Sequence, residues 1–247
     1  MKRLILVVAA MLVLATSAHA VGGIDLSVNA CPGNSGAMGV NDFISIDCAG
    51  GGAIVLLGTW APSEDIVGLT SLNGRIRIYI PAGLAANGFW DFDPTGCNSL
   101  ALSSNHARPP GGCSTPVDYT ATWSPAGSGS AIAALRTSDV FLTMQFVCYR
   151  SGPLNVSAEQ KLFGVQIVID GSNAVEAGGP CAGCNQGVGL VWTDATPSTA
   201  SGSLSPLFGP TGHYPGFGDC IVFGLGQCEP GLPARRSTWG QLKSLYR

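Results

Sequence analysis

The sequence predicts an all-β protein, an antiparallel β-sandwich or jelly roll stapled by disulfides, and three observations carry that expectation. Apolar residues recur with a period of two in several segments, the spacing of a strand with one buried face. The 247 residues include 35 glycines, 16 prolines and only 11% charged side chains, material for short strands and turns rather than helices. All nine cysteines lie beyond the N-terminal apolar segment, as in a chain that folds in an oxidising compartment.

At the N-terminus, Lys2 and Arg3 precede an apolar run from Leu4 to Ala15. Ala18-His19-Ala20 then places small residues at the two positions a signal peptidase reads. Residues 1–20 are therefore expected to be a secretory signal cleaved near Ala20, with the mature chain secreted or held in the cell envelope. The apolar run is shorter than the ~20 residues that cross a bilayer, and no later run is longer, so no transmembrane helix is expected in the mature chain. Strand candidates continue from Ile24 to Phe223 without a break in composition. Residues 21–229 are accordingly expected to form a single domain, with 230–247 a linker and short tail.

Along the chain, Ile24–Val28 and Phe43–Asp47 read as short strands, and Ala53–Trp60 is a continuous apolar run suited to an inner strand. Arg75–Ile80 alternates cleanly, with Ile76, Ile78 and Ile80 on one side and Arg75, Arg77 and Tyr79 on the other, so one face is wet. Val117–Trp123 and Ala131–Leu135 flank a loop tip at 124–130. From Val140 to Tyr149 the even positions Leu142, Met144, Phe146 and Cys148 make one wholly apolar face. Leu162–Asp170 sets Phe163, Val165, Ile167 and Ile169 on one side. The connection from Arg150 to Lys161 is too short for a helical crossover, so these two strands are expected to pair antiparallel. Gly187–Thr193 and Cys220–Phe223 complete the set, while Pro197–Gly218 reads as a long loop.

Pairing cysteines that are near in sequence gives Cys31 with Cys48, Cys97 with Cys113, Cys181 with Cys184 and Cys220 with Cys228, one of 105 connectivities open to eight cysteines. Each pair brackets a loop rich in glycine, serine, asparagine or proline. Cys148 is left over, and its place beside Met144 and Phe146 makes it a buried free thiol. Cys181-Ala-Gly-Cys184 lies between Gly178-Gly179-Pro180 and Asn185-Gln186-Gly187, a turn setting rather than the helix start a redox pair needs. A zinc knuckle would need a second close pair, and Cys220 to Cys228 has the wrong spacing.

The search for chemistry singles out no catalytic residue and no cofactor. After cleavage only His106 and His213 remain, and the sequence holds no His-Glu-x-x-His, no phosphate-binding loop and no Gly-x-Ser-x-Gly elbow. Gly33-Asn34-Ser35-Gly36 is a poor nucleophile candidate, and His213 with Asp219 nearby reads as solvated. Asp91-x-Asp93 followed by Gly96 imitates the opening of a calcium loop, but Leu102 stands where the bidentate glutamate belongs and Pro94 interrupts. An Asx-type turn is the reading preferred there, with structural calcium on Asp91 and Asp93 as its alternative. Trp60, Trp90, Trp123 and Trp192 are either core residues or a ligand-stacking platform for sugars, the first being favoured. Loss of Lys2 and Arg3 takes the formal charge from -3 to -5, and Lys161 and Lys243 are then the remaining lysines, so a nucleic-acid partner is not expected.

In the tail, a helix from Ser237 to Arg247 would put Trp239, Leu242 and Tyr246 on one stripe, with Lys243 and Arg247 near the end where cations suit the helix dipole. Eleven residues do not hold a helix alone in water, so the segment docks on something or stays disordered. The ending Thr238-Trp239-Gly240, Lys243 and Leu245-Tyr246-Arg247 resembles the tail of a family of uncharacterised secreted bacterial proteins. The signal segment, Cys31 and Cys48, Cys97 and Cys113, and Cys181-Ala-Gly-Cys184 are similar as well. Cys148, Cys220 and Cys228 are not part of that likeness. The resemblance implies an exported protein and a tail that serves either as a sorting or anchoring tag or as a terminal segment packed on its own domain.

Together these features point to a secreted or envelope-associated structural or binding module whose partner is an extracellular glycan or another envelope protein. Cohesin-like and carbohydrate-binding sandwiches are analogies of fold only. The alternative is a secreted, glycosidase-like hydrolase whose acids meet only in three dimensions, and a non-catalytic role is favoured over it. Fusing Ser237–Arg247 to an exported reporter should move the reporter into the envelope fraction; an unchanged distribution removes the sorting role.

Overall fold

The structure is a computed structural model that describes residues 22–34, 44, 51–79, 88–137, 141–172, 181–208 and 220–223. Among these residues every regular element is a strand: β1 (Gly23–Val28), β2 (Ile54–Ala61), β3 (Ile66–Tyr79), β4 (Leu102–Asn105), β5 (Gly129–Arg136), β6 (Phe141–Val156), β7 (Leu162–Ile169), β8 (Val188–Thr199), β9 (Gly202–Ser203) and β10 (Cys220–Phe223). All strand pairs are antiparallel. One sheet has the order β1-β2-β7-β4 and the other β10-β8-β3-β6-β5, with β9 on β8. The all-β, antiparallel character expected from the sequence is what the chain adopts. Of the candidate strand Phe43–Asp47 only Ile44 is described, in a parallel bridge with Phe223.

The period of two is written into the burial. In β6, Leu142, Met144, Phe146 and Cys148 are buried while Gln145 and Tyr149 are exposed. In β7, Phe163, Val165, Ile167 and Ile169 are all buried. These two strands, however, do not pair with each other. β6 lies between β3 and β5, β7 lies between β2 and β4, and residues 157–161 carry the chain from one sheet to the other. Both apolar rows join the same buried cluster. Side by side in one sheet, each row would still need a second layer to cover it; set in two sheets ~10 Å apart, the rows help cover each other.

Three further boundaries differ from the sequence reading. β3 begins at Ile66, ahead of the Arg75 at which the alternation starts, and runs through Gly68, Asn73 and Gly74. Gly74 is needed in the strand because the Phe146 ring lies on it; a Cβ there would fall 2.2 Å from the ring. β8 continues through Pro197 to Thr199 and turns into β9, with the Pro197 carbonyl accepting a hydrogen bond from Leu204 N at 2.9 Å. Val117–Trp123 is not a strand. The Asn34 side chain takes up its backbone instead, donating to Val117 O at 3.1 Å and accepting from Val117 N at 2.8 Å, while Tyr119 N donates to Cys113 O.

The sheets meet around Trp192. Its ring, from the six-stranded sheet, lies against Gly58 and Gly164 of the other sheet, where a Cβ would fall 2.7 and 3.4 Å from it. The β2–β7 register shifts at this place, between Gly58 and Thr59, so that Gly164 is the extra residue of a bulge. Its carbonyl accepts the indole N–H of Trp123 at 2.6 Å. Phe146 packs edge-on to Trp192 with centroids 5.6 Å apart.

The disulfides correct the pairing by nearness. Cys31 bonds Cys113 and Cys97 bonds Cys181, across sequence separations of 82 and 84, in place of Cys31–Cys48, Cys97–Cys113 and Cys181–Cys184. Tertiary contacts decide this. Cys31 N donates to Gly112 O and Asn34 Nδ2 to the same carbonyl, which holds the end of β1 beside the 112–117 loop. Phe89 N donates to Ala182 O, which lays the segment before Cys97 along the Cys181 turn. Cys184 and Cys220 are also disulfide-bonded. Cys48 and Cys228 lie outside the described residues, and so does the Cys220–Cys228 pairing. Non-reducing peptide mapping should recover Cys31–Cys113 and Cys97–Cys181 cross-links. Joint replacement of Cys31 and Cys113 by alanine should lower stability in denaturant titrations by about 2–5 kcal/mol. Recovery of a Cys181–Cys184 peptide would contradict this arrangement.

Candidate functional site

The outward face of the six-stranded sheet carries a concavity of about 500 Å³, built by strand register. Ala133, Gln145, Arg75 and Asp194 stand in one row across β5, β6, β3 and β8. Ala131, Val147, Asn73 and Thr196 stand in the next. Small side chains on β5 keep one wall low, while amides, the guanidinium and Thr196 supply the polar lining.

A β-bulge makes the charged pair. Trp192 and Asp194 are two residues apart and would share a face in a regular strand. The β3–β8 register shifts between Arg75 and Ile76, pairing Ile76 with Trp192 and Arg75 with Asp194, so Thr193 is the extra residue. Trp192 thereby points into the core and Asp194 outward beside Arg75. The Trp192 indole N–H donates to Asp194 O at 2.8 Å, tying the two sides of the bulge together. The Thr193 hydroxyl sits 3.0 Å from Arg75 O and 2.8 Å from Asp194 Oδ2, either of which can take its proton.

Arg75 Nε donates to both carboxylate oxygens of Asp194, at 3.1 and 2.9 Å. The Arg75 side chain is 58% exposed and that of Asp194 only 9%. Among the described residues, no hydrogen bond takes up the two terminal nitrogens of Arg75. The guanidinium is therefore aimed by a fixed carboxylate while the fork that recognises planar anions stays open to solvent. Along the same face, Arg77 lies over the Phe141 ring, 5.1 Å from its centroid. At the other end Tyr149, 47% exposed, lies over Gly129, where a Cβ would fall 2.5 Å from the phenol oxygen.

The residues singled out from sequence fall elsewhere. Trp60, Trp90, Trp123 and Trp192 are at most 2% exposed, so they form core and not a stacking platform for a ligand in solution. Sheet-to-sheet packing consumes their faces. Asp91 is buried and ion-paired to Arg136, while Asp93 accepts hydrogen bonds from Arg136 N at 2.9 Å, Thr95 N at 3.1 Å and the Thr95 hydroxyl at 2.8 Å. Both side chains thus fasten a turn to the end of β5, and no group of three or more metal-ligating side chains occurs among the described residues. Cys148 is a buried free thiol, and burial pushes its pKa up to about 12. His213, Asp219 and the tail residues Trp239, Leu242, Lys243, Tyr246 and Arg247 lie outside the described residues.

Sequence reasoning missed Asn73, Gln145, Asp194 and Tyr149 as a group. The wet face of Arg75 and Arg77 was the available signal, and what it lacked was the register joining four strands. No protein-family model, no curated protein and no solved structure matches the chain. Among the described residues no helix is long and apolar enough to cross a membrane.

The hydrogen bonds on Asp93, first that from Arg136 N and then those from Thr95, hold its carboxyl below the ordinary carboxylate range. A depressed folded-state pKa gives stability that is present above the unfolded value and lost as pH falls through the folded one. Thermal melts taken from about pH 6 to about pH 2 should fall less steeply in the Asp93→Asn protein than in the parent. Parallel curves would show that the carboxylate is not so engaged.

Proposed function

We propose that the protein is an exported binding module whose ligand seats on the outward face of the six-stranded sheet. The observation that carries this reading is Arg75, aimed through Nε by Asp194 with its terminal nitrogens open in a concavity of mixed polar and apolar lining. A rigid sheet supplies the positioning that a binding group needs, since a guanidinium held in place loses less freedom when it engages a ligand. Export is supported by the signal-like residues 1–20 and by the disulfides Cys31–Cys113 and Cys97–Cys181, bonds that persist in oxidising compartments. The resemblance of the tail and cysteines to secreted bacterial proteins points the same way. Of the two partner classes, an extracellular glycan is favoured over another envelope protein, because Phe146, the large apolar residue of the lining, is buried and the exposed side chains are those of Asn73, Arg75, Gln145 and the small Ala131 and Ala133.

The hydrolase reading needs two carboxylates across a cleft. The concavity offers one, Asp194, and it is committed to Arg75 and Thr193. Purified exported protein, screened against extracellular glycans and envelope fractions, should be retained, and Gln145→Ala or Arg75→Ala should weaken that retention, by a few-fold and by about tenfold, with the far-ultraviolet spectrum unchanged. Release of new reducing ends from a bound glycan would instead support the hydrolase.

A further inference from the structure

The charge balance of this face and the order of its side chains narrow the ligand, given that the face is the binding surface proposed above. Among the described residues, the charged side chains lining the concavity are Arg75 and Asp194, and they are bonded to each other. An anion entering there would gain little from a guanidinium whose charge Asp194 already balances. Farther along β3, Arg77 is engaged as well, its guanidinium lying over the Phe141 ring. A neutral ligand needs no net charge: its oxygens accept from the terminal nitrogens of Arg75 while Asp194 keeps Nε.

Strand register sets Val147 at the centre of a small array. Along β6 its neighbours on this face are Gln145 and Tyr149, and across the strands they are Ala131 on β5 and Asn73 on β3. Val147 is half-buried, whereas Ala131, Asn73, Gln145 and Tyr149 are exposed. The result is an apolar floor, Val147 with Ala131, rimmed by two amides and the Arg75 guanidinium. Strands ~4.8 Å apart, with same-face residues ~7 Å apart along each, keep that rim within reach of one small ring seated on the floor. A pyranose has this division: an apolar C–H face, with hydroxyls around the edge that each donate and accept. Asn73 and Gln145 likewise carry a donor and an acceptor each. At about 500 Å³ the concavity is in the range of small-ligand sites, where a few placed polar groups orient what an apolar lining holds. Tyr149, 47% exposed, stands about 7 Å beyond Val147 on β6, where its ring supports the next unit of a chain. We propose that the face binds a neutral polysaccharide, with one sugar ring seated on Val147 and Ala131, its hydroxyls met by Asn73, Gln145 and the terminal nitrogens of Arg75, and the next ring against Tyr149.

The test is affinity electrophoresis of the full exported chain in gels containing hydroxyethylcellulose, galactomannan, dextran or polygalacturonate, at low and high salt. Retention by a neutral polymer is expected, stronger than any by polygalacturonate and unchanged by salt, since no net charge is there to be screened. Asn73→Ala and Gln145→Ala should each weaken it by a few-fold, the loss of one hydrogen-bonding group, while thermal melts stay unchanged. Tyr149→Ala should weaken it too; because that ring also covers Gly129, the two amide variants at exposed positions decide the outcome.

Stronger retention by polygalacturonate, lost at high salt and weakened by Gln145→Ala, would overturn the neutral ligand and leave the face as a binding site. Retention by a neutral gel that neither amide variant weakens would overturn the face itself. Absence of retention from every gel would overturn the neutral polysaccharide. Capture by envelope fractions that Gln145→Ala weakens would in that case leave the face as a binding surface, and without such capture both readings fall.

Discussion

The Trp192 indole fills the gap between the two sheets at a place where the strands opposite it carry Gly58 and Gly164; a Cβ at Gly58 would fall 2.7 Å from the ring, and one at Gly164 would touch the ring at 3.4 Å and press on the Gly58 carbonyl at 3.0 Å. Its environment is drawn from both sheets. Phe146 meets it edge-on from within its own sheet, and the Gly164 carbonyl it packs beside is the acceptor for Trp123. Interiors packed to this density tolerate little change of volume, so Gly58 is fixed by the aromatic ring facing it. Gly74 under Phe146 repeats the rule within the six-stranded sheet.

The same residue also shapes the opposite face. Seating Trp192 inward while Asp194 points outward requires one extra residue between them, and Thr193 is that residue. The bulge is closed by the indole N–H bonded to Asp194 O and by the Thr193 hydroxyl near Asp194 Oδ2. A core interaction thus sets the direction of a carboxylate on the surface, which in turn aims Arg75. Bulges commonly re-aim a side chain in this way, and the concavity beside Arg75 is a consequence of that geometry.

The disulfides act at the periphery of this core. Cys31–Cys113 and Cys97–Cys181 each close a long stretch of chain and fasten irregular segments, rich in turns, to the sheets. The 112–123 region shows why such fastening is useful. Its backbone is held by Asn34, Lys161 and Cys113 and by a single bridge from Thr120 to β7, so few regular hydrogen bonds keep it in place. A covalent link there limits what the unfolded chain can explore, and the stabilisation grows with the length of the closed loop.

By itself the sequence determined that this chain is made of strands, because the alternation of Leu142, Met144, Phe146 and Cys148 with polar or exposed neighbours is a local property that every residue pair repeats. It also determined the wet face of Arg75 and Arg77, and the burial of Cys148, from the same local period. Pairing is not local. Whether β6 lies beside β7 or in the other sheet, which cysteine Cys31 reaches, and whether Trp192 and Asp194 share a face depend on register and on packing between layers. A single inserted residue reverses every later side chain in a strand, and its effect is visible only once the partner strand is in place. That is why the tertiary structure alone brought Asp194 to Arg75.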